Sequence, residues 1–132
     1  MGRCLGQVSA EMLTVFFVFL ILLSISVTAI EYVGKASKEK AKKAEFSALF
    51  QEFRSKADSA CRLGPGNVRH MQIPYGTASV FSNGDELGFS WEGSSQSFHL
   101  PCNYEISLPG PIREIAIANK EGTIEISSIE QE

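Results

Sequence analysis

The chain has 132 residues, enough for one small folded domain and an anchor, and a formal net charge of -3. Residues 31–62 hold eight Lys/Arg against five Asp/Glu, whereas residues 63–132 hold three Lys/Arg against nine Asp/Glu. The basic residues alternate with acids beside an apolar run, which is typical of a solvated helix face. We therefore expect no nucleic-acid partner.

The first predicted element is a membrane helix over residues 7–30. Residues 12–30 form a run of nineteen residues without a charge, preceded at once by Glu11. As a helix this run is about 28 Å long, which is close to the thickness of a hydrocarbon core. An ordinary secretory signal carries its small-residue cleavage site after the apolar run, whereas here small residues precede it. The order indicates that the mature protein keeps the apolar segment.

The helix is predicted to continue as an amphipathic segment over residues 31–63, which contain a single glycine and no proline. Apolar residues recur at helical spacing on one face, which we expect to pack on the following domain. They are Phe46, Leu49, Phe50, Phe53, Ala57 and Ala60. The sequence Gly64-Pro65-Gly66-Asn67 predicts the end of the helix.

Residues 64–132 change to a period of two and predict a β-rich globular head. Strand segments are expected at residues 68–73, 78–81, 87–91, 97–100, 104–108, 112–117 and 123–127. Turns are expected at residues 83–85, 93–95 and 119–122, the first and last joining hairpins. The predicted fold class is α+β, with a long N-terminal helix packed on a mostly antiparallel sheet.

The chain has three cysteines, Cys4, Cys61 and Cys102. Gly6 is one of the small residues in front of the apolar run, and Cys4 precedes it. Cleavage after Gly6 would therefore leave two cysteines, an even number that fits a Cys61–Cys102 disulfide in an extracytoplasmic head. The alternative is a pair of buried free thiols. Cys4 does not fit a bacterial-type lipidation site, because that cysteine follows the apolar run.

Gly6, Gln7, Ser9 and Glu11, followed by the apolar run, resemble the class III signal of archaeal type IV pilin-like proteins. The match covers the first thirty residues. A long helix followed by a compact β-rich head is also similar to a small pilin.

The resemblance implies a leader of residues 1–6 that a prepilin peptidase removes between Gly6 and Gln7, and it assigns roles in assembly and recognition to Gln7, Ser9 and Glu11. The new amine of Gln7 would then meet Glu11 of a neighbouring subunit. The implied product is a structural subunit of a cell-surface pilus, adhesive or otherwise. It would be held in membrane lipid before an assembly platform joins copies into a filament, and it would have no cofactor.

Several alternatives stay open on the residues alone. Glu11 can simply mark the water boundary of a single span. The subunit can be major or minor, and Val27-Thr28-Ala29 also fits the cleavage site of a secreted or membrane-anchored extracytoplasmic binding protein. Lysines from residue 35 to residue 43 place the head in the cytoplasm by the positive-inside rule, whereas the leader and the cysteine pair place it outside. We adopt the outside orientation, because the leader must be cytoplasmic to be cut.

Catalytic and metal signatures are weak in this sequence. His70 and His99 are the only histidines and are distant in sequence, and no P-loop, Cys-x-x-Cys or nucleophile elbow occurs. We therefore expect neither an enzyme nor a metal site. The aromatic residues Phe89, Trp91 and Phe98 are expected in the core of the head.

Overall fold

The computed structural model describes residues 4–108 and 112–129, with side chains from Ser9 onward. Helix α1 covers Cys4–Leu63 and is followed by seven strands. They are β1 (Val68–Gln72), β2 (Ala78–Asn83), β3 (Glu86–Trp91), β4 (Ser94–His99), β5 (Tyr104–Ser107), β6 (Glu114–Lys120) and β7 (Thr123–Ser128). The chain divides into two compact units, Met1–Lys42 and Lys43–Glu132. The predicted α+β class with a long N-terminal helix is confirmed.

Helix α1 ends where the glycine-rich sequence predicts. Gly64 has a φ of 78°, a left-handed conformation that glycine adopts readily just after a helix. The side-chain amide of Asn67 donates to the carbonyl oxygens of Leu63 and Gly64, both at 3.0 Å. These bonds satisfy carbonyls that have no partner inside the helix.

The described part of the head contains two sheets rather than one. Four strands pair in the order β1-β6-β7-β5, and three pair in the order β2-β3-β4. All pairs are antiparallel except β5 with β7, which is parallel. The Tyr104 hydroxyl donates to the carbonyl oxygen of Glu86 at 2.9 Å and so links the two sheets.

Two turns are tighter than predicted. The β3–β4 turn consists of Glu92 and Gly93, with φ values of 49° and 82°, so the predicted turn residues 94 and 95 belong to β4. The β6–β7 turn consists of Glu121 and Gly122, with φ values of 55° and 94°, so residues 119 and 120 belong to β6. Two-residue turns with positive φ at both positions match the twist of the flanking strands, which explains why the neighbours join the ladder.

The core of the head forms where the predicted helix stripe meets the two sheets. All six stripe residues are buried, and Phe53 is fully buried. Its ring centroid lies 5.1 Å from that of Phe89 and 5.9 Å from that of Phe98. Phe89, Trp91 and Phe98 are all buried, which confirms their predicted place in the core. Aromatic contacts therefore fix the C-terminal part of α1 to the head.

Candidate functional site

The N-terminal part of α1 presents an apolar surface on all sides. Every side chain described from residue 9 to residue 35 is exposed. Ser9–Leu63 is the one helix of the described chain that is long and apolar enough to cross a membrane, and a signal sequence near an N-terminus has the same property. This segment is therefore a candidate membrane span or signal sequence.

Hydroxyl groups within the apolar run bond to the backbone of the same helix. Thr14 Oγ1 donates to the carbonyl oxygen of Ala10 at 2.9 Å, and Ser26 Oγ donates to that of Leu22 at 2.8 Å. Thr28 Oγ1 donates in the same way to Ile25, at 2.9 Å. Such bonds lower the cost of placing hydroxyls in lipid or among other apolar helices, because the donors are already satisfied.

Glu11 is the single charged side chain between residues 9 and 30, and it is exposed. It belongs to none of the ion pairs within the described part of the chain. Ser9, the neighbouring predicted recognition residue, is also exposed on the helix. Gly6 and Gln7 of the predicted cleavage site lie within α1, and the free amine of Gln7 would exist only after cleavage. The pairing of Glu11 with that amine therefore stays a prediction.

The helix after the apolar run carries a group of exposed lysines between residues 35 and 43. The three ion pairs of the described residues involve Lys56, Arg62 and Lys120, so none comes from this group. We call residues 35–43 the lysine segment. Its positive charges are available to a partner.

One disulfide and one hydrogen bond hold the end of α1 to the head. Cys61 and Cys102 form a disulfide with their Cα atoms 6.1 Å apart, joining the helix to the segment between β4 and β5. Close to it, Asn119 Nδ2 donates to the carbonyl oxygen of Ala60 at 2.9 Å. The sequence predicts the cysteine pair. It gives no sign of the Asn119 bond, because an asparagine beside a glycine turn is ordinarily read as part of that turn.

The head also contains a tyrosine–carboxylate contact that sequence reasoning missed. The Tyr75 hydroxyl donates to the Glu45 carboxylate, and this bond raises the pKa of Tyr75 above its ordinary value. Partial burial and the negative charges of Glu45 and Glu92 act in the same direction. The contact joins α1 to the loop between β1 and β2.

The clefts formed by the described residues of the head hold no recognisable catalytic arrangement. An open cleft of about 220 Å³ lies between α1 and the end of β4, lined by Arg54, Asp58, Arg62 and His99 among others. Asp58 pairs with Arg62 at 2.8 Å, and the Arg54 guanidinium lies 5.9 Å from the Phe98 ring centroid. No group of three or more potential metal ligands occurs within residues 4–108 and 112–129, and the structure does not bring His70 into the cleft that contains His99.

Comparisons with protein-family models, with curated proteins and with solved structures found no match to this chain.

Proposed function

We propose that the protein is a structural subunit of a surface filament, similar to an archaeal type IV pilin, and that it assembles through its N-terminal helix. The observation that carries the proposal is the two-part character of α1. One continuous helix, Cys4–Leu63, has an apolar and fully exposed N-terminal part, while its Phe46 to Ala60 face is buried in the head. This combination supports a head attached to a helix whose own surface needs partners.

The exposed apolar surface needs either lipid or other helices to cover it. In lipid, packing rather than the hydrophobic effect drives helix association. Once copies leave the membrane, burying the same surface against neighbouring helices contributes roughly 25 cal/mol per Å². A bundle of such helices surrounded by heads is therefore the stable arrangement in water.

Glu11 sets the register of this bundle. Removal of residues 1–6 exposes a positively charged amine on Gln7, which pairs with Glu11 of the adjacent subunit. Opposite charges attract far more strongly in a water-poor bundle than in bulk water. An unpaired carboxylate there is costly, so only the axial offset that forms the pair is favoured.

Mass spectrometry of the mature N-terminus tests the processing step. A chain that begins at Gln7 supports the filament subunit, because it keeps the apolar helix. A chain that begins at Ile30 has lost that helix, and would favour the secreted binding protein instead.

A carboxylate variant tests the register step. We expect Glu11→Gln to be cleaved normally but to give at least about tenfold fewer filaments, measured by electron microscopy and immunoblots of sheared surface material. Glu31→Gln is the matched control, because it removes the acid at the other end of the apolar run and should assemble normally. Normal filaments from Glu11→Gln would contradict the role of this residue.

A further inference from the structure

The lysine segment carries a dense positive charge. It contains five lysines and a single acid, Glu39. Its lysines are Lys35, Lys38, Lys40, Lys42 and Lys43, all exposed. Lys35, Lys38 and Lys42 share one helix face, because they are spaced three and seven residues apart. At 1.5 Å per residue, their Cα atoms extend over about 10 Å along the helix.

A complementary negative surface lies on the outer face of the four-stranded sheet. Ile115 and Ile117 of β6 point into the core, so Glu114 and the alternate residues of β6 lie on the opposite face. Glu125 of β7 is opposite Ala118, and Glu105 of β5 is beside Glu125 in parallel register. We call Glu105, Glu114 and Glu125 with the residues between them the acidic face.

Among the described residues, the acidic face carries small side chains and few cations of its own. Between its glutamates lie small side chains, those of Ala116, Ala118, Ser107 and Ser127. Lys120 pairs with Glu125, while Glu105 and Glu114 belong to none of the ion pairs of the described residues. Glu114 is four residues from Ala118 along β6, so the glutamates extend over about 13 Å. That distance is comparable to the extent of the three lysines.

We propose that the lysine segment of one copy docks on the acidic face of a second copy. The inference rests on the proposed function, since it names the contact between neighbouring subunits, and charge complementarity identifies the occupant. Lys35, Lys38 and Lys42 pair with the three glutamates, while the small residues admit the aliphatic parts of the lysines. This contact also gives the lysines a role on the outer side of the membrane.

Chemical crosslinking of the full chain in membranes tests the contact directly. A water-soluble carbodiimide joins a lysine amine to a carboxylate only when the two touch. In a mixture of ¹⁴N- and ¹⁵N-labelled chains, a crosslink between a ¹⁴N peptide and a ¹⁵N peptide must join two copies, and we call such a crosslink hybrid. We expect hybrid crosslinks between the lysine segment and Glu105, Glu114 or Glu125. Their yield should fall in about 1 M salt, where the screening length is about 3 Å.

Charge reversal supplies the matched variants. We expect Lys35→Glu/Lys38→Glu/Lys42→Glu to lower the hybrid yield at least about tenfold, because it removes the three amines that react and turns the attraction into repulsion. The exchange of charges between the two surfaces is therefore the decisive variant, since it supplies amines and carboxylates again. Adding Glu105→Lys/Glu114→Lys/Glu125→Lys should restore the yield to within about threefold of the original chain. Lys40→Glu, on the opposite side of the helix, is the control and should have little effect. Thermal unfolding checks that each head is folded.

The outcomes separate this contact from the proposed function. Filaments that form without hybrid crosslinks, and that survive the triple lysine reversal, overturn the docking while the filament proposal stands. Hybrid crosslinks without filaments support the docking and remove the filament proposal. If crosslinks are absent and the triple reversal instead abolishes a preference of the chain for vesicles with about 30 % phosphatidylglycerol over vesicles of neutral phosphatidylcholine, the lysine segment binds lipid headgroups and the docking is wrong.

Discussion

The side-chain amide of Asn119 donates a hydrogen bond of 2.9 Å to the carbonyl oxygen of Ala60 and so joins β6 to the last turns of α1. Asn119 is only 3% exposed, and its Oδ1 accepts the backbone N–H of Gly122 at 3.0 Å. Its backbone also bonds to residues 66 and 67. One buried residue therefore connects the helix, the segment after it and the β6–β7 turn.

Replacing Asn119 should destabilise the head. Asn119→Ala leaves the Ala60 carbonyl and the Gly122 N–H without their partner, which costs roughly 1–3 kcal/mol for a buried polar group. Urea unfolding of the full chain in detergent measures the loss through the fluorescence of Trp91, the single tryptophan of the chain. Asn103→Ala, at an exposed position, is the matched control. Equal stability of the two variants would show that the Asn119 bonds contribute nothing.

The helix, its buried face and its end were predictable from the sequence, because local residue patterns determine all three. Apolar residues at helical spacing identify the face, and a following glycine cluster identifies the end. Phe46, Phe50 and Phe53 lie on that face and are buried as expected. The cysteine pair was predicted because the proposed cleavage after Gly6 would leave two cysteines, and the structure contains the bond.

The pairing of the strands and the role of Asn119 were not predictable in the same way. A period of two shows which residues share a face, but not which strand lies beside which. The division into two sheets and the parallel β5–β7 pair therefore had no local signal. The turn at Glu121 and Gly122 places a glutamate at positive φ, where asparagine or glycine is commoner. The sequence therefore predicts a longer turn that includes Asn119.

The disulfide should account for a large part of the stability of the head. Its cysteines are 41 residues apart, and closing a loop of this length contributes about 4 kcal/mol in the chain-entropy model. We expect Cys61→Ser/Cys102→Ser to lower the free energy of unfolding by about that amount, measured in urea. Cys4→Ser is the control and should leave the head unchanged. An unaltered thiol count after reduction of the original chain would rule out the bond.

The aromatic contact of Phe53 should dominate the attachment of α1 to the head. Phe53→Ala removes a fully buried ring that packs on Phe89 and Phe98, and we expect a cost of about 3–5 kcal/mol. Leu63→Ala on the same helix is the control, because Leu63 is 57% exposed. Thermal unfolding of both variants in detergent gives the comparison. A loss for Phe53→Ala no larger than for Leu63→Ala would contradict the packing argument.

The Tyr75–Glu45 contact should make the head sensitive to alkaline pH. The hydrogen bond to Glu45 favours the neutral phenol, and the pKa of Tyr75 is therefore raised above 10.0. A pKa that is higher in the folded than in the unfolded state contributes stability that is fully present below pH 10. That stability is lost as the pH rises through the raised pKa.

Glu45→Gln should lower the pKa of Tyr75 towards its ordinary value, because the hydrogen bond to a carboxylate and its negative charge are both removed. The phenolate absorbance of Tyr75 measures the shift, taken as the difference between each chain and its Tyr75→Phe counterpart. Glu39→Gln is the matched control, since Glu39 is an exposed acid on the same helix. Unfolding in urea at increasing pH measures how much free energy of unfolding each variant loses through the titration of Tyr75. This loss should be smaller for Glu45→Gln than for the control. Identical titrations of Tyr75 in the two variants would show that Glu45 does not hold the phenol in its neutral form.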